Sequence, residues 1–299
     1  MEETNTAHVP VLLQEVIALL DVHPGETVLD CTLGGGGYAT ALLEAVGPHG
    51  RLVGIDADRD ALARVEGRLQ HYENKQLLCG NFRDAVSLLA QAGISSVDKI
   101  AFDLGLSSDQ LTGASGRGFS FMADEPLHMT LGVPEDALLT ATHVVNDWSE
   151  RHLADVIFGF GGERHSRKIA RAIVAAREET PIETSAQLAT VVEGAIRARG
   201  KVHPATRTFQ AIRMAVNDEL GALAAGLEAV HALLAPNGRV AIVSFHSLED
   251  GLVKRTFKTW SAEEFGTILT KKPLVPEHSE IRNNPRARSA KLRAFARST

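Results

Sequence analysis

The fold is decided by the stretch Asp30-Cys31-Thr32-Leu33-Gly34-Gly35-Gly36-Gly37-Tyr38. A short apolar run, Val28-Leu29-Asp30, precedes the glycines, and an apolar helical pattern runs from Tyr38 to Val46 behind them. Glycine has no Cβ and tolerates positive φ, so a ligand can lie against the main chain where a helix begins. The stretch therefore predicts a strand, a ligand-binding turn and a helix. A tight turn with a purely structural role is the alternative.

The alternation of strands and helices continues along the chain. A second apolar run, Leu52-Val53-Gly54-Ile55-Asp56, also ends in an acid and precedes a helical pattern over 57–69. The next predicted elements are a strand over 77–79, a helix over 84–92 and a strand over 99–103. Strands that alternate with helices form parallel sheets whose ligand crevice lies at the carboxyl ends of the strands. We therefore predict an α/β fold with a doubly wound, Rossmann-like parallel sheet.

The alternation is interrupted after Asp103. A loop rich in Gly and Ser and then helices without strands continue to about residue 214, with Ser166 expected to cap one helix and Thr184 or Ser185 another. Strand character returns over 239–245, and a last strand over 291–297 is expected at an edge of the sheet. The predicted organisation is a discontinuous sheet domain, 1–108 and 215–299, with an all-helical insertion over 109–214.

Length and composition exclude several classes of protein. The chain has 299 residues, of which 44% are hydrophobic and 23% charged, which is enough apolar surface for a sizeable core. No apolar run approaches a membrane span, and residues 1–8 lack the features of a signal peptide, so we expect a cytoplasmic protein without a membrane partner. Cys31 and Cys79 are the only cysteines, and we expect no disulfide framework, metal site or redox chemistry.

The charge is distributed unevenly. The net charge is −6, but residues 164–213 carry ten Lys/Arg against four Asp/Glu, and residues 271–299 carry eight against two. Local potential steers a polyanion more than net charge does, so these stretches predict contacts with nucleic-acid phosphates. The alternative is two solvated helix faces. The candidate phosphate contacts are Arg199, Lys201, His203, Arg207 and Arg213 in the first stretch, and Arg282, Arg286, Arg288, Lys291 and Arg293 in the second.

Polar residues at the strand ends indicate the ligand. Asp56 lies nineteen residues after Gly37, where a carboxylate can accept both hydroxyls of an adenosine ribose, although a helix N-cap fits the same position. Asn81-Phe82 could flank an adenine, or Phe82 could be core. Asp30 with Gly34 and Gly36 suits a ligand that carries an ammonium and no phosphate, whereas dinucleotide enzymes use G-x-G-x-x-G. The pattern favours a methyl donor over a nicotinamide dinucleotide.

Two loops at neighbouring strand ends are expected to face one substrate. They are Asp103-Leu104-Gly105-Leu106-Ser107-Ser108-Asp109-Gln110 and Ser244-Phe245-His246-Ser247-Leu248-Glu249-Asp250. Methyl transfer requires an aligned nucleophile and an acceptor for one proton. Asp103, the Leu104 carbonyl and Ser107 are candidate acceptors for the N–H groups of an exocyclic amine. His246 is the only nearby imidazole, and it is either catalytic or a hydrogen-bonded structural residue.

The chain resembles a known family, the ribosomal RNA small subunit methyltransferase H (MraW-type) family. The resemblance spans nearly the whole chain. It is carried by Asp30-x-Thr-x-Gly-x-Gly-Gly, Asp103-Leu-Gly-Leu-Ser-Ser-x-Gln, Arg117-Gly-Phe-Ser-Phe, His203-Pro-Ala-Thr-Arg-Thr-Phe-Gln-Ala-Ile-Arg, Ser244-Phe-His-Ser-Leu-Glu-Asp and Asn284-Pro-Arg-Ala-Arg-Ser. It implies a class I methyltransferase sheet with a helical insertion, and S-adenosyl-L-methionine-dependent methylation of the N4 amine of a cytidine in the decoding region of 16S ribosomal RNA.

The resemblance also implies site residues and partners. Carried over by position, the cofactor contacts are Gly36, Gly37, Tyr38, Asp56, Phe82, Asp103 and Gln110. The implied partner is small-subunit ribosomal RNA or the ribosomal subunit, and the chain itself is expected to be a monomer or a homodimer.

The chain departs from the family pattern at three places. Tyr38 and Cys31 replace His and Gly, and Pro126-Leu127-His128-Met129-Thr130-Leu131-Gly132 stands where the family reads Pro-Leu-Asp-Met-Arg-Met-Asp. The loss of two acids and an arginine keeps open an RNA-binding or ribosome-assembly factor with weak or lost turnover. A methyltransferase for a protein or a small molecule is the other alternative.

Overall fold

The computed structural model describes residues 10–106, 110, 115–196 and 203–299. The chain divides into two compact units. Unit 1 comprises Met1–Gly105 and Leu220–Thr299, and unit 2 comprises Leu106–Glu219. No helix among the described residues combines the length and the apolar composition needed to cross a bilayer.

Unit 1 contains a seven-stranded sheet in the order β3-β2-β1-β4-β5-β7-β6. Its elements in chain order are α1 (Leu13–Leu20), β1 (Thr27–Asp30), α2 (Gly37–Val46), β2 (Arg51–Asp56), α3 (Arg59–Arg68), β3 (Lys75–Cys79), α4 (Ala85–Gln91), β4 (Val97–Asp103), and, after unit 2, α10 (Glu219–Leu233), β5 (Leu234–Ser244), α11 (Ser247–Ala262), β6 (Gly266–Ile268), α12 (His278–Asn283) and β7 (Lys291–Arg297). The predicted doubly wound, Rossmann-like fold is confirmed.

The first five strands pair in parallel, as the sequence predicts. β7 runs antiparallel to both β5 and β6. The prediction that 291–297 is an edge strand is therefore wrong. The short strand β6 follows no apolar alternation that sequence reasoning could detect, yet it covers the outer side of β7, so four consecutive residues of β7 are buried.

Apolar residues fill both faces of the sheet. Ile100, Phe102 and Ile242 face one cluster, which α4, α10 and α11 complete. Val28, Leu52 and Ala101 face the other, which α1, α2 and α3 complete. The strand order reverses between β1 and β4. β2 and β3 lie on one side of β1, and β4 and the later strands lie on the other. A crevice for a ligand is expected at the carboxyl ends of the strands at such a switch point.

Unit 2 is helical. Its helices within the described residues are α5 (Ala141–Asp147), α6 (Glu150–Gly159), α7 (Ser166–Glu179), α8 (Ser185–Ala195) and α9 (Thr206–Asn217). They enclose a separate apolar core that includes Leu153, Ile169 and Phe209. Thr184 caps α8 as predicted, through a reciprocal capping box with Gln187.

The expectation that Ser166 caps a helix is wrong. Ser166 is the first helical residue of α7, and His165 occupies the cap position without a side-chain hydrogen bond to the helix. The backbone N–H of Ser166 donates to the Glu163 carbonyl, so the turn before the helix is already closed by backbone groups.

Candidate functional site

Three acids end neighbouring strands of unit 1. Asp30 ends β1, Asp56 ends β2 and Asp103 ends β4, and β1 lies between the other two strands. Parallel strands bring their carboxyl ends to one edge of a sheet. The structure therefore brings together, at one edge, the three acids that the sequence places there.

The glycine turn holds backbone conformations that need glycine. Gly34 and Gly36 have φ of 50° and 75°, in the left-handed region. A Cβ on Gly37, the first residue of α2, would lie 2.2 Å from Pro10 Cγ. The turn therefore presents bare main chain at the start of α2, and a side chain at Gly37 would displace the segment that precedes α1.

Asp56 fixes this turn to the sheet. Its Oδ2 accepts the Gly34 N–H at 2.7 Å, and its Oδ1 accepts the Asp58 N–H at 2.8 Å. Burial raises the pKa of the Asp56 carboxyl above its usual value, and the two backbone hydrogen bonds act in the opposite direction. Each oxygen keeps a second lone pair, so Asp56 retains two acceptor positions beyond those two bonds.

Asp30 and Asp103 form the most unusual feature of the site. Asp30 Oδ2 and Asp103 Oδ1 are buried and have no hydrogen-bond partner among the described residues. Burial raises the pKa of Asp30 to about 7, against a hydrogen bond from Thr32 and together with repulsion from Asp56. Burial also raises the pKa of Asp103 to about 8, assisted by repulsion from Asp30 and Glu249. Two buried carboxyl oxygens without described partners favour a cation or an N–H donor beside them.

Tyr38 is buried more deeply than its predicted role requires. Its hydroxyl donates a hydrogen bond to the Val11 carbonyl, and the side chain is only 5% exposed. Burial raises the pKa of the Tyr38 hydroxyl well above its usual value. The side chain packs in the core on the α2 face of the sheet, so Tyr38 has only its backbone to offer at the turn.

Phe82 has one packed side. Its ring meets Phe102 edge to face at 5.5 Å between centroids, and a Cβ on Gly226 in α10 would lie 2.8 Å from the Phe82 ring. The residue remains half-buried. The Asn81 side chain next to it accepts the Arg83 N–H at 3.0 Å, which fixes the turn after β3.

His246 caps the helix that follows β5. Its Nδ1 accepts the Glu249 N–H at 3.4 Å, while Glu249 Oε2 accepts the N–H groups of Phe245 at 2.9 Å and His246 at 3.2 Å. The Nε2 of His246 lies 3.0 Å from Glu249 Oε1. The structural alternative for His246 thus has a defined basis, and its catalytic role stays a prediction.

Two predicted residues lie in the segment after β4. Ser107 is outside the described residues. Gln110 is buried in unit 2, with 6% of its surface exposed. The roles of both residues stay predictions.

The divergent segment of unit 2 is held by buried side chains. Arg117 Nη1 donates to the carbonyls of Leu131 at 3.0 Å and Gly132 at 3.2 Å. The Asn217 amide bonds the Met129 carbonyl at 2.7 Å and the Leu131 N–H at 2.8 Å. The Arg117 guanidinium and the Asn217 amide therefore hold the backbone of residues 129–132.

Some predicted phosphate contacts are internal ion pairs. Arg213 bonds both carboxylate oxygens of Glu219, at 2.6 and 2.8 Å, and its side chain is only 15% exposed. Arg293 is buried, and its Nε donates to Asp250 at 2.6 Å. Burial acts to raise the pKa of Asp250, but the bonds from Arg293 and Lys291 outweigh it and lower that pKa. Both guanidinium groups are paired with carboxylates inside the fold, and their contact with phosphates stays a prediction.

The other candidate cations differ in exposure. Arg282 and Arg288 are exposed, Arg286 is half-buried, and Lys291 Nζ lies 3.2 Å from Asp250. Arg207 is 56% exposed with its Nη1 at 3.6 Å from Glu163. His203 lies 2.9 Å from Glu193 and stacks on Phe121 at 4.2 Å. Arg199 and Lys201 lie outside the described residues.

Sequence reasoning missed Thr32 and Glu249. Thr32 Oγ1 accepts the Asp103 N–H at 2.6 Å, and the Thr32 N–H donates to Asp30 Oδ1 at 3.1 Å. Glu249 forms the capping box with His246. A glutamate three residues after a helix cap is a detectable capping signal, whereas nothing in the sequence shows that Thr32 meets a residue 71 positions later.

Comparison with known proteins identifies relatives over the whole chain. Residues 5–298 match the model of the MraW methylase family. The ribosomal RNA small subunit methyltransferase H of Deinococcus deserti is 49% identical, over 99% of this chain and 96% of the relative. The protein of the same name from Deinococcus radiodurans is 48% identical, over 97% of this chain and 90% of the relative.

A solved rRNA methylase from Streptococcus thermophilus is similar at a TM-score of 0.44 and 12% identity, over 96% of this chain and 95% of that one. The sheet and the sequence relatives together define a Rossmann-like methyltransferase. The chain belongs to the MraW methylase family.

Proposed function

We propose that the chain transfers a methyl group from S-adenosyl-L-methionine to the N4 amine of a cytidine in the decoding region of small-subunit ribosomal RNA. The observation that carries the proposal is the pair of buried carboxyl oxygens, Asp30 Oδ2 and Asp103 Oδ1, without described partners at adjacent strand ends. A phosphate-bearing dinucleotide would add negative charge beside them. A donor with an ammonium and a sulfonium supplies the positive charge that these carboxylates require.

Sequence relatives support an rRNA methyltransferase activity. Proteins named ribosomal RNA small subunit methyltransferase H are 42–49% identical to this chain and are covered over at least 88% of their length. The chain is accordingly an rRNA methyltransferase that uses S-adenosylmethionine. Three details of the proposal rest on the family resemblance: that the base is a cytidine, that its N4 amine is methylated, and that it lies in the decoding region.

The residues at the strand ends fit the donor. S-adenosylmethionine supplies an activated methyl group on a sulfonium. Asp56 has the acceptor positions left for the ribose hydroxyls, and the half-buried Phe82 offers a ring edge to the adenine. The bare main chain of Gly36 and Gly37 admits close approach, and Tyr38 contributes its backbone rather than its ring. Asp30 and Asp103 meet the positive charge.

Asp103 is also proposed to handle the proton of the acceptor. The exocyclic amine of cytosine is a weak nucleophile because its lone pair is delocalised into the ring. An acceptor for one of its N–H bonds favours the geometry of attack and can take the proton. Asp103 Oδ1 is buried without a described partner, so this oxygen is free to accept an N–H bond of the amine. Ser107 and the Leu104 carbonyl are proposed to hold the amine, and His246 to orient the loop or assist.

The two units have separate proposed tasks. Unit 1 contains the donor site just described. Unit 2, with its basic stretch over 164–213, is proposed to recognise RNA. Phosphate contacts contribute affinity without base choice, so the target cytidine must be selected where one unpaired base enters the donor site.

A labelling experiment tests the proposal. The protein is incubated with methyl-labelled S-adenosylmethionine and small subunits from a strain that lacks this family, and the RNA is digested to nucleosides. We expect label in N4-methylcytidine, and none with subunits that already carry the methyl group. Label in another nucleoside would overturn the N4 assignment, and label only in protein would overturn the RNA substrate.

A second candidate function follows from the divergent segment. His128 Nδ1 is buried without a described partner where the family pattern has an aspartate. If the missing acids and arginine are required for transfer, the chain is an assembly factor that binds the subunit without turnover. Tight binding of subunits without label in the same experiment would establish this function.

A further inference from the structure

We propose that the connection between α6 and α7 is a binding surface for single-stranded RNA, on which Phe158 stacks a base and Arg164, Arg167 and Lys168 contact phosphates. We refer to these four residues as the α6–α7 surface. The inference rests on the proposed RNA substrate and specifies where unit 2 contacts it.

Phe158 is an aromatic residue on the outside of unit 2. It lies in the last turn of α6 with 60% of its surface exposed. Its neighbours Leu153, Ala154 and Ile157 supply the buried face of the helix, so Phe158 is not needed for the core. An exposed aromatic ring next to cations is the usual platform for unstacked bases in single-stranded RNA.

The cations that follow Phe158 in the connection and in the first turn of α7 lack acidic partners. Arg164, Arg167 and Lys168 are exposed, and no described residue forms an ion pair or hydrogen bond with their side chains. Two acids are near. Glu163 is buried, accepts the His165 N–H at 2.8 Å and lies 3.6 Å from Arg207, and the exposed Asp155 lies 3.9 Å from Arg151. The positive charge of the surface is therefore available to a polyanion.

This concentration of charge does not favour folding of the helix. Within α7, Arg167 and Arg171 are four residues apart, and like charges at this spacing destabilise a helix. Arg171 Nε lies 3.7 Å from Glu150, whereas Arg167 has no such partner among the described residues. The first turn of α7 contains no acid, although acids are the favourable residues at a helix N-terminus. Charges that weaken the local structure are explained by a requirement for binding.

The backbone below the surface is fixed. The Gly162 N–H donates to the Phe158 carbonyl at 2.9 Å, and the Glu163 N–H donates to the Ile157 carbonyl at 3.3 Å. A Cβ on Gly161 would lie 2.4 Å from the Arg207 carbonyl of α9, so this glycine allows close contact between the connection and α9. The ring and the cations therefore extend from an ordered support, which lowers the entropic cost of binding.

Binding of RNA by variants tests the surface. A labelled single-stranded RNA of twelve nucleotides and its duplex are titrated at several salt concentrations by fluorescence anisotropy. Exchange of Arg164, Arg167 and Lys168 for Gln should weaken single-strand binding and lower the slope of log affinity against log salt by about 2, because three phosphate contacts are lost. Phe158→Ala should weaken it about tenfold with an unchanged slope, and Phe158→Tyr should bind like the wild type.

Matched controls separate binding from folding. Arg151→Gln removes an exposed cation of α6 outside the surface, and Leu138→Ala removes an exposed apolar side chain of unit 2. Both controls should bind as the wild type does. Thermal unfolding should show all surface variants at least as stable as the wild type.

Several outcomes would overturn the inference. The first is an unchanged salt slope in the triple variant, and the second is binding by Phe158→Ala as tight as that of the wild type. The third is a loss of affinity for whole small subunits but not for the oligonucleotide, which would indicate that the surface binds a protein. The labelling experiment separates this from the proposed function. If the wild type transfers the methyl group but the variants bind RNA as the wild type does, only the proposed α6–α7 surface is overturned. If the variants bind RNA more weakly but the wild type transfers no methyl group, only the proposed function is overturned.

Discussion

The backbone N–H of Asp103 donates to the Thr32 hydroxyl at 2.6 Å, which joins the end of β4 to the turn that follows β1. The Thr32 N–H in turn donates to Asp30 Oδ1 at 3.1 Å. One threonine thus fixes the two strand ends that bear the buried carboxyl groups. This connection joins the ends of the strands that bear Asp30 and Asp103 although the two carboxylates repel each other, and it leaves the buried Asp30 Oδ2 and Asp103 Oδ1 without a described partner.

Asp103→Asn should abolish methyl transfer while stabilising the protein without donor. The amide cannot take a proton, so kcat should fall by about 100-fold or more. The carboxyl with the raised pKa binds its proton more tightly in the folded than in the unfolded chain. Its contribution to stability is therefore lost as pH rises from about 4 through the folded pKa of about 8. Denaturant unfolding at pH 9 should give a variant more stable by on the order of 5 kcal/mol, because the pKa is raised by about four units at roughly 1.4 kcal/mol per unit.

The pH series provides the control for this substitution. At pH 4 the wild-type carboxyl is largely protonated in the folded state, and the two proteins should have similar stability. A variant less stable than the wild type at pH 9 would contradict an unfavourable buried charge. A variant with wild-type kcat would exclude Asp103 as the proton acceptor.

Asp56→Ala should weaken donor binding at least tenfold. The substitution removes the acceptor of the Gly34 N–H and the proposed acceptor of the ribose hydroxyls together. Asp98→Asn is the matched control, because Asp98 also accepts a backbone N–H, from Thr27 at 2.8 Å, but lies near the amino end of β4. Calorimetric titration should find the control at the wild-type Kd. An unchanged Kd in Asp56→Ala would remove Asp56 from the donor site.

His246→Asn should preserve both folding and turnover if capping is the main role of His246. Asparagine is a favourable N-cap, whereas His246→Ala should cost about 1 kcal/mol because the Glu249 N–H loses its acceptor. Thermal unfolding and steady-state rates are measured on both variants. Wild-type stability with a large loss of kcat in His246→Asn would instead assign the imidazole to the reaction.

The sequence predicted the part of the fold that depends on local pattern. Apolar runs ending at Asp30, Asp56, Cys79 and Asp103, each next to a helical pattern, were sufficient to place four parallel strands and the crevice. β6 escaped prediction because three residues without apolar alternation form a strand only when β7 pairs with them. Its presence also moved β7 from the edge to the interior.

The candidate site was predictable to the same extent. Residue types and strand ends indicated the acids, but not that Asp30 and Asp103 each have an oxygen without a described partner, which depends on tertiary packing. Charge counts identified a basic stretch, yet Arg213 and Arg293 proved to be ion-paired, because their acidic partners Glu219 and Asp250 meet them only in the folded chain. Tyr38 is directed into the core by its bond to Val11, which no local pattern shows.

Proton release on donor binding tests the central claim most directly. In the free protein the pKa values of Asp30 and Asp103 are about 7 and 8, and a cation beside them should lower both. Calorimetric titration with S-adenosylmethionine at pH 7, in two buffers of different ionisation enthalpy, should show net release of protons, and the Kd should decrease from pH 6 to pH 8.5. Asp30→Asn with Asp103→Asn should remove both effects. Binding that exchanges no protons and does not change with pH would contradict a cationic donor resting against these two carboxyl groups.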